Sequence, residues 1–154
     1  MATTIVPSNL IVTITESYTL NGVAYGNTMN KTYESNGRVS QRVMSIASEG
    51  GGTDWTDILA LSTVDGQGQV VKTSYKYFRI TNLDTVNALN LRVYNGSDYV
   101  AIQVSPSSTQ LFMGAGIDSP VGVGAVTLAD IQAIAGQSSS ATEAIDVEFI
   151  MVTT

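Results

Sequence analysis

The chain has 154 residues, 44% of them hydrophobic and 13% charged, with a net charge of −6 and neither cysteine nor histidine. That length and apolar content suit one domain with a sizeable core and exclude a disordered polymer. The missing residue types exclude a disulfide scaffold, thiolate and Ser-His-Asp catalysis, iron–sulfur ligation and His-ligated zinc.

Polarity is carried by hydroxyls and amides: 16 Ser, 18 Thr and 9 Asn. Such a neutral surface, rich in strand and turn formers, fits a protein packed against neighbours. Seven acids and seven bases cancel up to Arg92, and the six acids beyond it meet no base. Nucleic acid is therefore not an expected partner. No stretch approaches the length of a membrane span, and MATTIVPSNLIVTITES lacks the basic start of a secretory leader, so no membrane association is expected.

Met1 to Asn9 reads as an N-terminal arm and 10–154 as one β-domain. In the first predicted strand Leu10, Val12 and Ile14 share one face, and Thr13, Thr15 and Ser17 the other. Asn21-Gly22 predicts a type I′ hairpin turn, and Val23 to Tyr33 the return strand, irregular at Gly26. After a turn at Asn36-Gly37, Arg38 to Ala47 is a strand with Val39 and Val43 on one face and Met44 and Ile46 on the other. Gly50 to Gly52 mark a loop, followed by a short strand over Asp57 to Thr63 and a turn at Asp65-Gly66.

Gln69 to Asn82 is the longest strand candidate. Its apolar set changes face near Tyr77, which predicts a bulge there or burial on both faces. Leu89, Leu91 and Val93, then Val100, Ile102 and Val104, alternate on either side of Asn95-Gly96 and predict a hairpin. Pro106 ends that strand, and Thr109 to Met113 begins another. TLADIQAIAGQ predicts one short helix, with Thr127 as cap and Gly136 as its end. Ile145, Val147, Phe149 and Met151 alternate with Asp146 and Glu148 in a last strand. Eight to ten short strands with regular turns predict an all-β, antiparallel β-sandwich or jelly-roll-like single domain, with that short helix near the C-terminus.

Candidate chemistry is sparse. Asp54 and Asp57 flank Trp55, a spacing that suits two carboxylates beside a sugar-stacking ring, but it reads first as a turn opened by Asp54 and a glycine loop anchored by Trp55. The pair lacks the ligand density of a calcium loop. Asn30-Lys-Thr32 and Asn95-Gly-Ser97 match the glycan acceptor pattern, but Asn95-Gly96 reads first as a hairpin turn. Tyr94 and Tyr99, flanking that turn, suit either a subunit contact or cross-strand packing. No catalytic set, cofactor or metal site is expected.

The segments VTITESYTLNGVAYGNTMNKTY, QRVMSIAS, YFRITNLD and LRVYNGSDYVAIQVSPSSTQLFM resemble small virion structural proteins of tailed bacteriophages, those of cyanobacterial and marine phages above all. Among these the chain is most similar to a capsid decoration, or cement, protein. The resemblance implies a compact sandwich or jelly roll, a homotrimer, that sits on the outside of the virion and binds the major capsid protein after synthesis in the host cytoplasm. It carries over no catalytic residue. Under this reading the arm, with Val6 and Pro7, lies across a neighbour, and Tyr94 and Tyr99 are contact residues. A neck, tail or fibre-associated component, or a carbohydrate- or receptor-binding module with Trp55 as its platform, is the alternative.

Overall fold

The computed structural model describes residues 9–34, 39–50, 54–62, 70–71, 75–94, 99–113 and 131–153. They form eleven strands: β1 (Leu10–Leu20), β2 (Val23–Tyr33), β3 (Val39–Ile46), β4 (Thr56–Ser62), β5 (Val70–Val71), β6 (Tyr75–Asn82), β7 (Leu89–Tyr94), β8 (Tyr99–Val104), β9 (Thr109–Met113), β10 (Ala133–Ser138) and β11 (Ile145–Thr153). One sheet runs β5-β4-β10-β7-β8, a second β3-β11-β6-β9, and β1 pairs with β2 alone. All pairs are antiparallel except the short β4–β5 contact.

With β1, β2 and the two-residue β5 set aside, eight body strands remain. Counted along the chain, they fall in the spatial orders 1-8-3-6 and 2-7-4-5. Chain neighbours 1 and 2, 7 and 8, 3 and 4, and 5 and 6 thus lie in opposite sheets, as when a long antiparallel ribbon is rolled up. This is a jelly roll.

The core is the space between the sheets. From the four-stranded sheet come Ile46, Phe78, Ile80, Phe112, Ile145, Val147, Phe149 and Met151; from the other come Ile58, Leu59, Leu89, Leu91, Val93, Val104 and Ile134. Phe78 stands at the centre, with its ring centroid 5.8 Å from Phe112 and 5.9 Å from Phe149. Burying one such aromatic side chain is worth roughly 3–5 kcal/mol by the cost of truncating it. At the rim, Arg42 lies over the Phe149 ring and donates from Nη2 to the Ile58 carbonyl at 2.8 Å, which ties one sheet to the other.

Two irregularities answer questions the sequence left open. In β6, Val152 faces Tyr77 and Thr153 faces Tyr75, so the ladder skips Lys76. Both expected causes of the face change operate: there is a bulge, and both faces are buried. Phe78 and Ile80 point into the core, and Tyr77 points outward against Tyr33 and Val152. In β4 the register shift at Ile134/Ala135 lets the consecutive residues Ile58 and Leu59 both reach the core.

The predicted helix over 127–137 is corrected. Ala133 to Ser138 is a strand, central in its sheet between β4 and β7. Thr127 and Asp130 lie outside the described residues. Ala133 and Ala135 face outward but are apolar by type, so they erase the alternation and leave a helical period. Gly136 closes no helix. A Cβ there would stand 2.8 Å from Ile58 Cδ1 and 3.1 Å from Leu89 Cδ1, so the ends of those two side chains fill the space that glycine leaves. No helix occurs among the described residues.

Candidate functional site

The feature that departs most from a plain jelly roll is the β1–β2 hairpin. Its turn is as the sequence predicts: Asn21 and Gly22 have φ of 52° and 80°, the positive values of a type I′ turn, and Leu20 pairs with Val23. Eleven residues per strand give a ribbon on the order of 35 Å long. The register puts Leu10, Val12, Ile14, Glu16, Tyr18 and Leu20 on one face with Val23, Tyr25, Asn27, Met29, Lys31 and Tyr33. The opposite face holds Thr13, Thr15, Thr19, Thr28, Asn30 and Thr32, zipped by Thr13–Asn30 and Thr15–Thr28 hydrogen bonds.

Among the described residues, only the base of the ribbon packs on the body. There Tyr33, with Leu10 and Val12, packs on Tyr77, Val152, Leu111 and Ile150 of the outer face of the four-stranded sheet. The Tyr33 and Tyr77 rings lie 5.3 Å apart. Burial raises the pKa of both tyrosines above the ordinary value. From Thr15 to Thr32 every residue is exposed. The apolar face nonetheless runs on to the tip: Tyr18, Leu20, Val23, Tyr25 and Met29 are 46–60% exposed. Tyr18 stacks flat on Tyr25, centroids 5.3 Å apart, which fixes the ribbon's shape but covers neither ring's outer surface. The register runs unbroken through Gly26, where glycine permits the close approach of β2 to β1, because a Cβ there would lie 2.7 Å from the Glu16 carbonyl oxygen.

A second cluster lies on the outer face of the five-stranded sheet. Arg92 sits with its guanidinium carbon 4.8 Å from the Trp55 ring centre, 5.6 Å from Tyr94 and 5.7 Å from Tyr99. Tyr94 and Tyr99 are register partners, and Ala135 faces Arg92 from the next strand. The structure thus brings together three expected residues, Trp55, Tyr94 and Tyr99, around an arginine that sequence reading passed over. Its position, outward in a strand of otherwise buried apolar alternation, was the available signal. Arg92 Nε is buried and makes no hydrogen bond among the described residues. Trp55 and Tyr94 are half-buried and Tyr99 is 59% exposed. Arginine, tryptophan and tyrosine together are the composition of energetically dominant interface residues.

Other expected residues fall elsewhere. Val6 and Pro7 lie outside the described residues, as do Asn95 to Ser97. Asp54 and Asp57 are exposed, and the Asp54 carbonyl accepts from the buried Gln137 amide, which also donates to the Glu49 carbonyl. This is a loop anchor. Among the described residues no group of three or more acidic side chains is placed to hold a metal, and no helix is long and apolar enough to cross a membrane.

The geometry offers two exposed, aromatic-rich surfaces on opposite sheets, one carried on the projecting β1–β2 hairpin and one on the outer face of the five-stranded sheet. Such surfaces bind by shape and burial of apolar area. No protein-family model, curated protein or solved structure matches the chain.

Proposed function

We propose that the chain is a non-enzymatic structural protein of a tailed-bacteriophage virion, a decoration protein that docks on the assembled head and joins neighbouring subunits. The observation that carries this reading is the arm formed by the β1–β2 hairpin, Leu10 to Tyr33: a ribbon fixed at its base, with an apolar face left uncovered over its outer half. A protein that works alone in solution gains nothing from such a face, which invites aggregation. A protein that bridges neighbours needs it. The jelly roll is shared by viral shell proteins and by lectins, so it supports the reading by analogy only. A cement protein stabilises a lattice by binding the assembled form in preference to its parts, and surface complementarity is sufficient for that. Its partners in this reading are the major capsid protein and further copies of itself, with a trimer favoured.

The test is stoichiometry in purified particles. A simple ratio to the major capsid protein supports decoration, whereas a few copies per particle place the chain in the neck or tail. The cluster around Arg92 favours a second reading, receptor or carbohydrate binding. Glycan binding by the isolated protein that is lost in Trp55→Ala, without change in particle association, would replace decoration with that function.

A further inference from the structure

We infer that the free half of the arm docks on a second copy of this chain, head to tail, over the β3 edge of that copy's four-stranded sheet. The inference rests on the assembly reading above and names the partner surface. Two observations carry it.

The first is continuity. The arm's apolar face already has a matched floor at its base, where Leu10, Val12 and Tyr33 lie on Tyr77, Val152, Ile150 and Leu111. The same outer face of the same sheet continues uncovered to Val39 and Val43, which are 48% and 61% exposed. Val39 is the register partner of Val152, so the uncovered strip adjoins the covered one. One chain therefore carries a projecting apolar ribbon face and a flat apolar strip, each left open in the isolated subunit. Two different patches that complement each other make a heterologous contact, which closes into a ring or extends as a chain.

The second is area. With a tyrosine side chain worth roughly 150–250 Å², the half-exposed arm residues offer on the order of 400–500 Å². Both partners together then bury about 900 Å², just under the range of stable specific interfaces. A single contact is weak, and closure of a ring, or a lattice that holds the copies close, raises it by effective concentration. The free chain should self-associate weakly and cooperatively.

The absence of cysteine makes the test clean. Tyr18→Cys and Val43→Cys are made separately; both positions are exposed, and thermal melting checks that the bodies fold alike. Each protein alone, and the two mixed, is treated with a short bis-maleimide at high concentration. Cross-linked dimer at least tenfold above background in the mixture only is the expected result. Dimer from Tyr18→Cys alone, at the level of the mixture, would show arms meeting arms and overturn the inference, as would no cross-link in any arm of the experiment. The readout is separable from the virion reading. Cross-linking of free chains with no copies in particles sinks decoration and leaves this contact standing; copies in particles without cross-linking do the reverse.

Discussion

Tyr33→Ala tests how the arm is held. Tyr33 is 8% exposed and packs on Tyr77 and Val152, the centre of the contact between hairpin and body. Burying about 150–250 Å² of side chain at roughly 25 cal/mol per Å² gives about 4–6 kcal/mol. Compaction of the unfolded chain lowers this, and about 3 kcal/mol is the working figure. Because Tyr33 contributes nothing to the core between the two sheets, the loss falls on docking of the arm and not on the jelly roll. A two-stranded ribbon without a floor is marginal in water, so the arm should open as a local unit. At 1.4 kcal/mol per tenfold change, amide hydrogen exchange at the docked base of β1 and β2, around Leu10, Val12 and Tyr33, should speed up about a hundredfold. Amides of β7, β10 and β11 should keep their protection. Equal loss in arm and body, or no loss in the arm, would refute the reasoning. Tyr18→Ala, at an exposed position, should leave both nearly unchanged.

Gly136→Ala should lower global stability by about 1–3 kcal/mol through overpacking against Ile58 and Leu89, read as a fall in the denaturation midpoint; an unchanged midpoint would mean the core has room there. Asn82→Ala should cost about 1–3 kcal/mol. The fully buried Asn82 amide donates to the carbonyls of Asn87, Val104 and Ser105, and its oxygen accepts from Asp84 N–H, so the variant removes these bonds between β6, the 83–88 loop and the end of β8. Alkaline pH should release the arm selectively. Tyr33 and Tyr77 are raised from 10.0 by burial, so the folded chain holds their protons more tightly than the unfolded chain. Stability is level below that ordinary value and falls as pH rises from it to the raised folded values; absorbance titration should show tyrosines that ionise late, with arm exchange accelerating in the same window.

Much of this fold could be read in the sequence because most strands bury one face only. Leu89, Leu91 and Val93 against Asn90, Arg92 and Tyr94 leave no other arrangement. Asn21-Gly22 fixes its turn by backbone conformation alone. Where both faces are covered, or the outward residues are small and apolar, the period-2 signal vanishes, which is why β10 reads as a helix. The arm was visible as a hairpin but not as an arm. Its alternation is the same whether a sheet covers the apolar face or solvent does, and only the three-dimensional position of the body tells the two apart. Arg92 was hidden for a related reason: cross-strand neighbours, not chain neighbours, put Trp55 and Tyr99 around it.

The most direct measurement of the central claim is the copy number of this chain in purified particles, made with the intact protein and with a Tyr18→Ser, Tyr25→Ser variant that keeps the body's melting temperature. The account predicts a fixed simple ratio to the major shell protein for the intact chain and at least a tenfold loss of retained copies for the variant. Absence of the intact chain from particles, or full retention of the variant, would contradict it.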